Sequence, residues 1–248
     1  MNYIEIGILF FVISLLASFT GRGGGILYLS VLIHFIGVST ESKIISFILI
    51  LANSLPYYKM AVLEFDKKLI RYMLLPSLTS YLLMGMFSQK PDGILFLVFI
   101  FIIGASSLLY LWFPVVLTNQ NNNPTGKAIG YYSLFASGIS AYVGLSPALL
   151  LIPYLANKLK VDMKKAIPYL HFQNMIVVTL GLFSTMLKTE YVQYPSLENM
   201  LILIAMVLLG SYAGKHLLFK SSLIWNKIIF TLLSIASLVL TFLTVITS

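Results

Sequence analysis

Ile94–Val116 reads ILFLVFIFIIGASSLLYLWFPVV, an uninterrupted run of 23 residues without a charged side chain. A second run, Leu223–Ile246, has 24 residues and a single charge. A helix needs about 20 apolar residues to cross the ~30 Å hydrocarbon core of a bilayer. Helices and closed barrels satisfy their backbone hydrogen bonds in lipid, and these runs lack the polar alternation of a barrel strand. They therefore predict membrane-spanning helices.

The composition of the whole chain points to the same class. Of the 248 residues, 59% are hydrophobic and 10% are charged, with a mean hydropathy of +0.94. A soluble domain usually has about 25% charged residues, so this chain has too few to cover a solvated surface. Cysteine is absent, which excludes disulfides, thiolate metal sites and iron–sulfur clusters. The net charge of +8 is spread over many short loops, which argues against a nucleic-acid partner.

Ten apolar segments can be read along the chain. We predict an all-α integral membrane protein with two five-segment halves in inverted orientation. An Asn-rich linker at 118–127 separates residues 1–117 from residues 128–248, and the two halves form one transmembrane domain. The predicted segments are Ile4–Phe19, Gly25–Ile36, Ile44–Tyr58, Leu69–Phe87, Ile94–Val116, Ala128–Val143, Pro147–Leu159, Ala166–Leu187, Met200–Leu218 and Leu223–Ile246.

The lysines and arginines between these segments predict the orientation. Three of them, Lys43, Lys90 and Lys188, fall on the side of the N terminus, and the other 13 fall on the opposite side. Cytoplasmic loops of membrane proteins accumulate basic residues. Both termini are therefore predicted to be extracytoplasmic. Five segments in each half make the second half run opposite to the first.

The two halves also align with each other at an offset of 123 residues. Gly21–Leu32 falls on Gly144–Leu155. Further along, Ser39 falls on Asp162, and each is a suitable N-cap for the next segment. The alignment and the charge distribution are independent indications of an inverted repeat.

Segments two and seven are short, and each contains or adjoins Gly or Pro. Gly25–Ile36 has 12 residues, which span about 18 Å as a helix, and Pro147–Leu159 contains Pro153. Such a pair at matching places in two halves is typical of a transporter binding site. We predict that segments one and two, and segments six and seven, form re-entrant hairpins. Their tips, 20–25 and 143–147, would meet near the membrane midplane.

Both predicted tips carry residues that suit an anion. The glycines leave backbone N–H groups accessible, and Ser146-Pro147 is typical of an N-cap followed by the first helical residue. A helix N-terminus offers unpaired N–H donors and a partial positive charge, and an arginine adds a planar fork of donors. The alternative is that the glycines only permit close helix packing and that the arginine side chain reaches the cytoplasmic membrane–water interface. The candidate substrate-binding residues at the tips are Gly21, Arg22, Gly23, Gly24, Gly25, Gly144, Leu145, Ser146 and Pro147.

Polar residues within segments three and eight extend the candidate site. Asn53, His171 and Asn174 lie at predicted membrane depth, where polar groups usually face a cavity or the bundle interior. His171 could carry a proton near neutral pH, which would couple transport to protons. All eight acidic residues fall in loops or at segment ends, so no carboxylate relay is visible. Hydrogen bonding between helices is the alternative role for these side chains.

The motifs resemble those of a known family. Gly21-Arg22-Gly23-Gly24-Gly25 followed by Ser30-Val31-Leu32 resembles the G-x-G-G-G…P-x-L hallmark of the TauE/SafE sulfite and organosulfonate exporters. Gly144–Leu155 resembles its second copy, and Gly210–Lys215 resembles a G-x-x-x-G-(K/R) motif of that family. Ser30 replaces the proline, and Ser146-Pro147-Ala148 replaces three glycines. The resemblance implies outward transport of sulfur oxyanions or related organic anions, without a prosthetic group.

We therefore predict a cell-membrane transporter of a small anion, most simply a sulfur oxyanion or organosulfonate. An enzyme is not expected, because no cysteine or intramembrane carboxylate is present and the three histidines lack metal-binding spacing. Neither a metal nor another cofactor is expected, and the predicted partners are the anion and the lipid bilayer. There are two alternatives. The substrate could be another small organic anion, or the protein could be a non-transporting receptor or scaffold subunit. Small residues on segments four and nine fit a homodimer as well as internal packing.

Overall fold

The computed structural model describes residues 3–20, 24–37, 39–63, 67–87, 93–112, 126–157, 163–187 and 195–247. Every regular element in these ranges is helical, as the sequence predicts. A 3-10 turn at Leu55–Tyr57 joins α3 to α4. The helices are α1 (Tyr3–Thr20), α2 (Gly25–Ile36), α3 (Thr40–Ser54), α4 (Tyr58–Leu63), α5 (Lys67–Phe87), α6 (Gly93–Trp112), α7 (Gly126–Val143), α8 (Ala148–Asn157), α9 (Met163–Met186), α10 (Leu197–Lys220) and α11 (Leu223–Thr247).

Three stretches of the described chain are both long and apolar enough to cross a membrane by themselves. They are Ala166–Met186 in α9, Leu197–Lys220 in α10 and Ile224–Leu243 in α11. Shorter apolar stretches include Gly25–Ile36, which is α2 with the bounds that the sequence predicts. The described part of the chain therefore contains both full-length and short apolar helices.

Most predicted boundaries differ from the structure by a few residues, and two of these differences bear on the argument. The linker was predicted to end at residue 127, but α7 already begins at Gly126, and residues 118–125 lie outside the described ranges. Segment three was predicted to begin at Ile44, but α3 begins at Thr40. Ser39 caps it, because the Ser39 side chain accepts from the Ser42 amide and the Ser42 hydroxyl accepts from the Ser39 amide. This reciprocal pair satisfies two donors that a helix start leaves unpaired. The matching cap candidate, Asp162, lies outside the described residues.

The short helices α2 and α8 lie inside the bundle. Residues 25–33 of α2 and 148–155 of α8 are all buried. A helix that is apolar on every face is stable when other helices surround it. Helix α2 packs against α3 and α11, and α8 packs against α9 and α6. The chain thus encloses two short helices, and both of their N-terminal ends lie within the protein.

Long helices surround this pair. Helix α1 packs along α10, and α5 packs along α7. The central helices α3 and α9 contact each other, and each also contacts one of the short helices. Gly210 and Gly214 of α10 lie directly against the backbone of α1. Gly210 and Gly214 are therefore used in packing within the chain.

Candidate functional site

The first predicted tip contains a glycine in a conformation that other residues avoid. Gly24 has φ +69°, and a Cβ atom at this position would overlap the ring of Tyr28. Left-handed backbone of this kind favours glycine. The first helical hydrogen bond of α2 runs from the Tyr28 amide to the Gly24 carbonyl at 3.0 Å, so the amides of residues 25–27 have no partner within the helix. Gly21, Arg22 and Gly23 lie outside the described residues.

The second predicted tip turns at Gly144, which has φ +89°. The Ser146 hydroxyl accepts a hydrogen bond from the Ala148 amide at 3.1 Å, so it pairs the first amide of α8, but from one residue before the N-cap position that the observed start of the helix defines. Helix α8 begins at Ala148, one residue later than predicted, because the Pro147 carbonyl accepts the first helical bond, from Leu151. Leu145, which lies between Gly144 and Ser146, is buried, and its carbonyl accepts a hydrogen bond from the Tyr81 hydroxyl at 2.6 Å.

The two tips lie against each other. A Cβ atom built on Gly25 would come within 2.9 Å of the Ser146 amide nitrogen and within 2.9 Å of Ile50 Cδ1. This close approach of two backbones requires that residue 25 has no side chain. The N-terminal ends of α2 and α8, which are 123 residues apart in sequence, are therefore neighbours in space.

Asn53 lies beside the first tip. Its Oδ1 accepts hydrogen bonds from the hydroxyls of Ser14 (2.7 Å), Ser18 (2.8 Å) and Tyr28 (3.1 Å). Asn53 is fully buried, and within the described chain its Nδ2 has no hydrogen-bond partner. Tyr28 also lies over Gly24, so the asparagine is anchored at the start of α2.

Asn174 has the corresponding place beside the second tip. Its Oδ1 accepts a hydrogen bond from the Ser146 hydroxyl at 3.0 Å. It is fully buried, and among the described residues nothing pairs with its Nδ2. A buried amide nitrogen without a partner costs roughly 1–3 kcal/mol, so both asparagines retain donors that a ligand would satisfy.

His171 connects the two asparagines. It lies one turn before Asn174 on α9, and its Nδ1 is 3.1 Å from the hydroxyl of Ser54, the neighbour of Asn53. Its ring stacks on Tyr57 with a centroid separation of 4.1 Å and an interplanar angle of 2°. In the part of the chain that the structure describes, Nε2 has no partner. We call Asn53, Ser54, Ser146, His171 and Asn174 the polar cluster.

Sequence reasoning missed one charged residue of this region. Lys43 was counted as an extracytoplasmic loop residue, but it lies inside α3 and is 3% exposed. A Cβ atom at Gly144 would lie 2.7 Å from Lys43 Cγ, so the lysine stem passes directly over the second tip. The Ser46 hydroxyl donates to the Gly144 carbonyl at 3.0 Å. The predicted Ser39 cap was the available signal, because it starts the helix before Lys43.

The chemistry of this region is that of hydrogen-bond donors. Two helix starts meet, and the two asparagine amides and the histidine ring beside them retain unused polar atoms. No group of three or more His, Asp or Glu side chains among the described residues is placed to hold a metal ion. Such an arrangement suits an anion whose oxygens accept several hydrogen bonds at once.

A family model described as Sulfite exporter TauE/SafE matches residues 6–241 of the chain. The chain belongs to the TauE/SafE family. With the apolar helices described above, membership makes it a multi-pass membrane protein, and the family is one of transporters. A search of curated proteins gives no match.

The third sequence motif of this TauE/SafE protein has a structural role. Lys215, at the end of Gly210–Lys215, donates a hydrogen bond from Nζ to the Pro56 carbonyl at 2.7 Å. Its Nζ also lies 6.0 Å from the ring centroid of Tyr57, the residue that stacks on His171. The motif thus joins α10 to the 3-10 turn that follows Asn53. The glycines of the motif let α10 lie directly against the backbone of α1.

Proposed function

We propose that this protein transports a sulfur oxyanion or a short organosulfonate across the cell membrane. The observation that carries the proposal is the contact between the tips, Gly24-Gly25 and Gly144–Pro147, with the Nδ2 atoms of Asn53 and Asn174, which have no partner among the described residues, beside them. Hydrogen bonds to a charged group contribute about 1.5–3 kcal/mol each, so a few such donors bind an anion with useful affinity. Arg22, in the sequence just before Gly24, would add a charged fork of donors.

We also propose that the protein is an inverted repeat with residues 1–117 and 128–248 as its halves. The helix packing supports this, because exchange of the halves converts the main contacts between the long and short helices into others that are present. The contact of α1 with α10 becomes that of α7 with α5, and the contact of α2 with α11 becomes that of α8 with α6. Helices α1–α2 and α7–α8 would be the two re-entrant hairpins, with their tips near the midplane.

The orientation in this proposal has both termini outside the cytoplasm. Lys43 no longer counts as a loop residue, and Arg22 at a tip does not either, so the basic residues remain strongly concentrated on the other side. An anion that leaves a cell with a negative interior gains about 2.3 kcal/mol per charge per 100 mV. Export therefore needs no coupling ion, although a proton on His171 would be one way to add coupling.

The direct test is ligand stabilisation of the purified protein in detergent. At a concentration of about 100 times the Kd, a ligand that binds the folded state adds about 2.7 kcal/mol of stability. We expect sulfite or methanesulfonate to raise the Tm, and both to be carried by the protein in proteoliposomes. An unchanged Tm together with no flux for any small oxyanion would refute the proposed function.

Arg22→Ala tests the predicted role of Arg22 at the first tip. We expect the variant to fold normally and to lose most of the shift in Tm that sulfite produces, because the charged fork of donors is gone. The matched control is Arg71→Ala, which removes an exposed arginine of α5. An Arg22→Ala protein with the full shift would exclude Arg22 from the site.

His171→Gln tests proton coupling. Glutamine can keep the hydrogen bond to Ser54 but cannot change its charge. If His171 carries the coupled proton, flux should therefore depend on pH between about pH 5.5 and 8 in the wild type and become independent of pH in the variant. His216→Gln, at an exposed position of α10, is the control. A pH dependence that survives in His171→Gln would assign the transported proton to the substrate.

A further inference from the structure

Tyr57 is a large, fully buried side chain at the edge of the polar cluster. It ends the 3-10 turn Leu55–Tyr57 that separates α3 from α4. Its hydroxyl donates to the Ser18 carbonyl of α1 at 2.8 Å, and its ring lies parallel to that of His171 in α9 with the centroids 4.1 Å apart. One side chain thus joins the turn after α3 to two other helices.

Helices α3 and α9 run in opposite directions past each other. A Cβ atom at Gly181, late in α9, would lie 3.4 Å from Cε2 of Phe47, which is in the middle of α3. Beyond the end of α3, Tyr57 lies on His171, which is in the first half of α9. The stacked pair therefore marks the end of this helix pair where α3 stops and α9 starts.

The stacked pair covers one side of the two asparagines. Tyr57 comes one helical turn after Asn53, and His171 comes one turn before Asn174. Because the helices are antiparallel, both steps lead toward the same side of the protein. In the proposed orientation this is the cytoplasmic side, from which an exported anion enters.

The structure shows the site in a closed form. Asn53, His171 and Asn174 are all fully buried, although each retains a nitrogen atom without a partner among the described residues. An anion can reach these nitrogens only if a side chain or a helix end that covers them moves. A two-state protein of this kind often has its minor form populated at about 0.1–10%.

The 3-10 turn is a place where such movement can occur. A 3-10 stretch within a longer helical segment has poorer hydrogen-bond geometry than an α-helix and often marks a hinge. Pro56, in the middle of the turn, has no amide donor. The Lys215 side chain of α10 supports the turn from outside, since its Nζ donates to the Pro56 carbonyl at 2.7 Å.

We propose that Tyr57 is the cytoplasmic gate of the anion site. Its ring closes the site by stacking on His171, and movement of the 3-10 turn lifts the ring away. This rests on the proposed function and its orientation, since a gate requires a path for the anion. The aromatic ring provides the closure, and the bond from the hydroxyl to Ser18 only adds to it.

The test uses the absence of cysteine from the chain. Ser146→Cys places a single thiol at the second tip, where Ser146 is 2% exposed. Its initial rate of labelling by a small, membrane-impermeant, sulfonate-bearing methanethiosulfonate is measured in inside-out and right-side-out vesicles. If the open form of the wild type is a minor one, Tyr57→Leu should speed up labelling about tenfold or more from the cytoplasmic side. The rate from the other side should not change.

Two further variants separate the ring from other effects. Tyr57→Phe keeps the stacked ring and should label at nearly the wild-type rate. Tyr212→Leu is the matched control, because Tyr212 is an exposed tyrosine of α10 whose ring also contacts a histidine, His216, at a centroid distance of 4.7 Å. If Tyr57→Leu does not purify as folded protein, Lys215→Met replaces it, since it frees the turn and should also speed up cytoplasmic labelling.

Several outcomes would overturn the gate. An unchanged rate would show that the ring does not close the site, and an equal increase from both sides would indicate looser packing. An increase from the extracytoplasmic side alone would contradict the assigned side. These results leave the binding of the anion intact, because labelling is measured without substrate. A wild type with neither flux nor ligand stabilisation would refute the proposed function and the gate together.

Discussion

Alanine at Gly214 or Gly210 should prevent the protein from accumulating in folded form. A Cβ atom at Gly214 would overlap the Leu15 carbonyl oxygen, and one at Gly210 would overlap the Phe11 carbonyl oxygen. Both obstacles are backbone atoms, so the added methyl group would force α1 and α10 apart. These two helices form the most extensive helix–helix contact of the described chain. Overpacking usually costs about 1–3 kcal/mol, and we expect more than about 3 kcal/mol here because no side chain can move aside.

The same helix pair offers a control for this prediction. A Cβ atom at Gly7 would lie 3.2 Å from Cγ of Met206, and methionine is flexible enough to adjust. Gly7→Ala should therefore accumulate nearly as well as the wild type. The yield of monodisperse protein in detergent and its Tm are the measurements. If Gly214→Ala proves as stable as Gly7→Ala, the described packing of α1 on α10 is wrong.

Alanine at Gly25 should abolish most transport without unfolding the protein. The added methyl group would lie 2.9 Å from the Ser146 amide nitrogen, so the two tips would have to move apart. Movement of the Ile50 side chain cannot relieve this contact, because the Ser146 nitrogen is backbone. A separation that costs 1.4 kcal/mol reduces substrate affinity about tenfold, and the geometry leads us to expect at least that loss.

Gly138 provides the comparison for Gly25. It is a helical glycine of α7, and the atoms nearest to an added Cβ are Ser80 Oγ at 3.7 Å and Met84 Cγ at 3.9 Å, which are ordinary contacts. Gly138→Ala should keep wild-type flux and wild-type binding of sulfite in the same assays. Equal flux in Gly25→Ala and Gly138→Ala would show that contact between the tips is not needed for transport.

Much of the candidate site could be predicted from local patterns. The glycine cluster before α2 was predicted to leave backbone amides accessible, and the amides of residues 25–27 have no partner within the helix. Asn53, His171 and Asn174 were conspicuous because polar side chains are unusual in apolar segments, and all three are fully buried near the tips. These predictions needed only the cost of buried polar groups and the conformational freedom of glycine.

Lys43 could not be assigned in the same way. At the end of a predicted segment, a lysine in a loop and a lysine in the first turn of a helix look alike. Only the packing of α3 on the second tip decides that this lysine is enclosed. The partners of Asn53 show the same limit, because Ser14, Ser18 and Tyr28 come from two other helices. Apolar segments give few clues about which faces will meet.

The sequence by itself determined that this is an all-helical membrane protein with two short helices at matching places, because hydropathy, segment length and glycine are local properties of the chain. The tertiary structure decided which groups are neighbours. It brought Gly25 against the Ser146 amide, Asn174 onto the Ser146 hydroxyl and Lys43 over Gly144. These contacts depend on how helices far apart in sequence pack together, and that packing follows from the shapes of their faces in three dimensions.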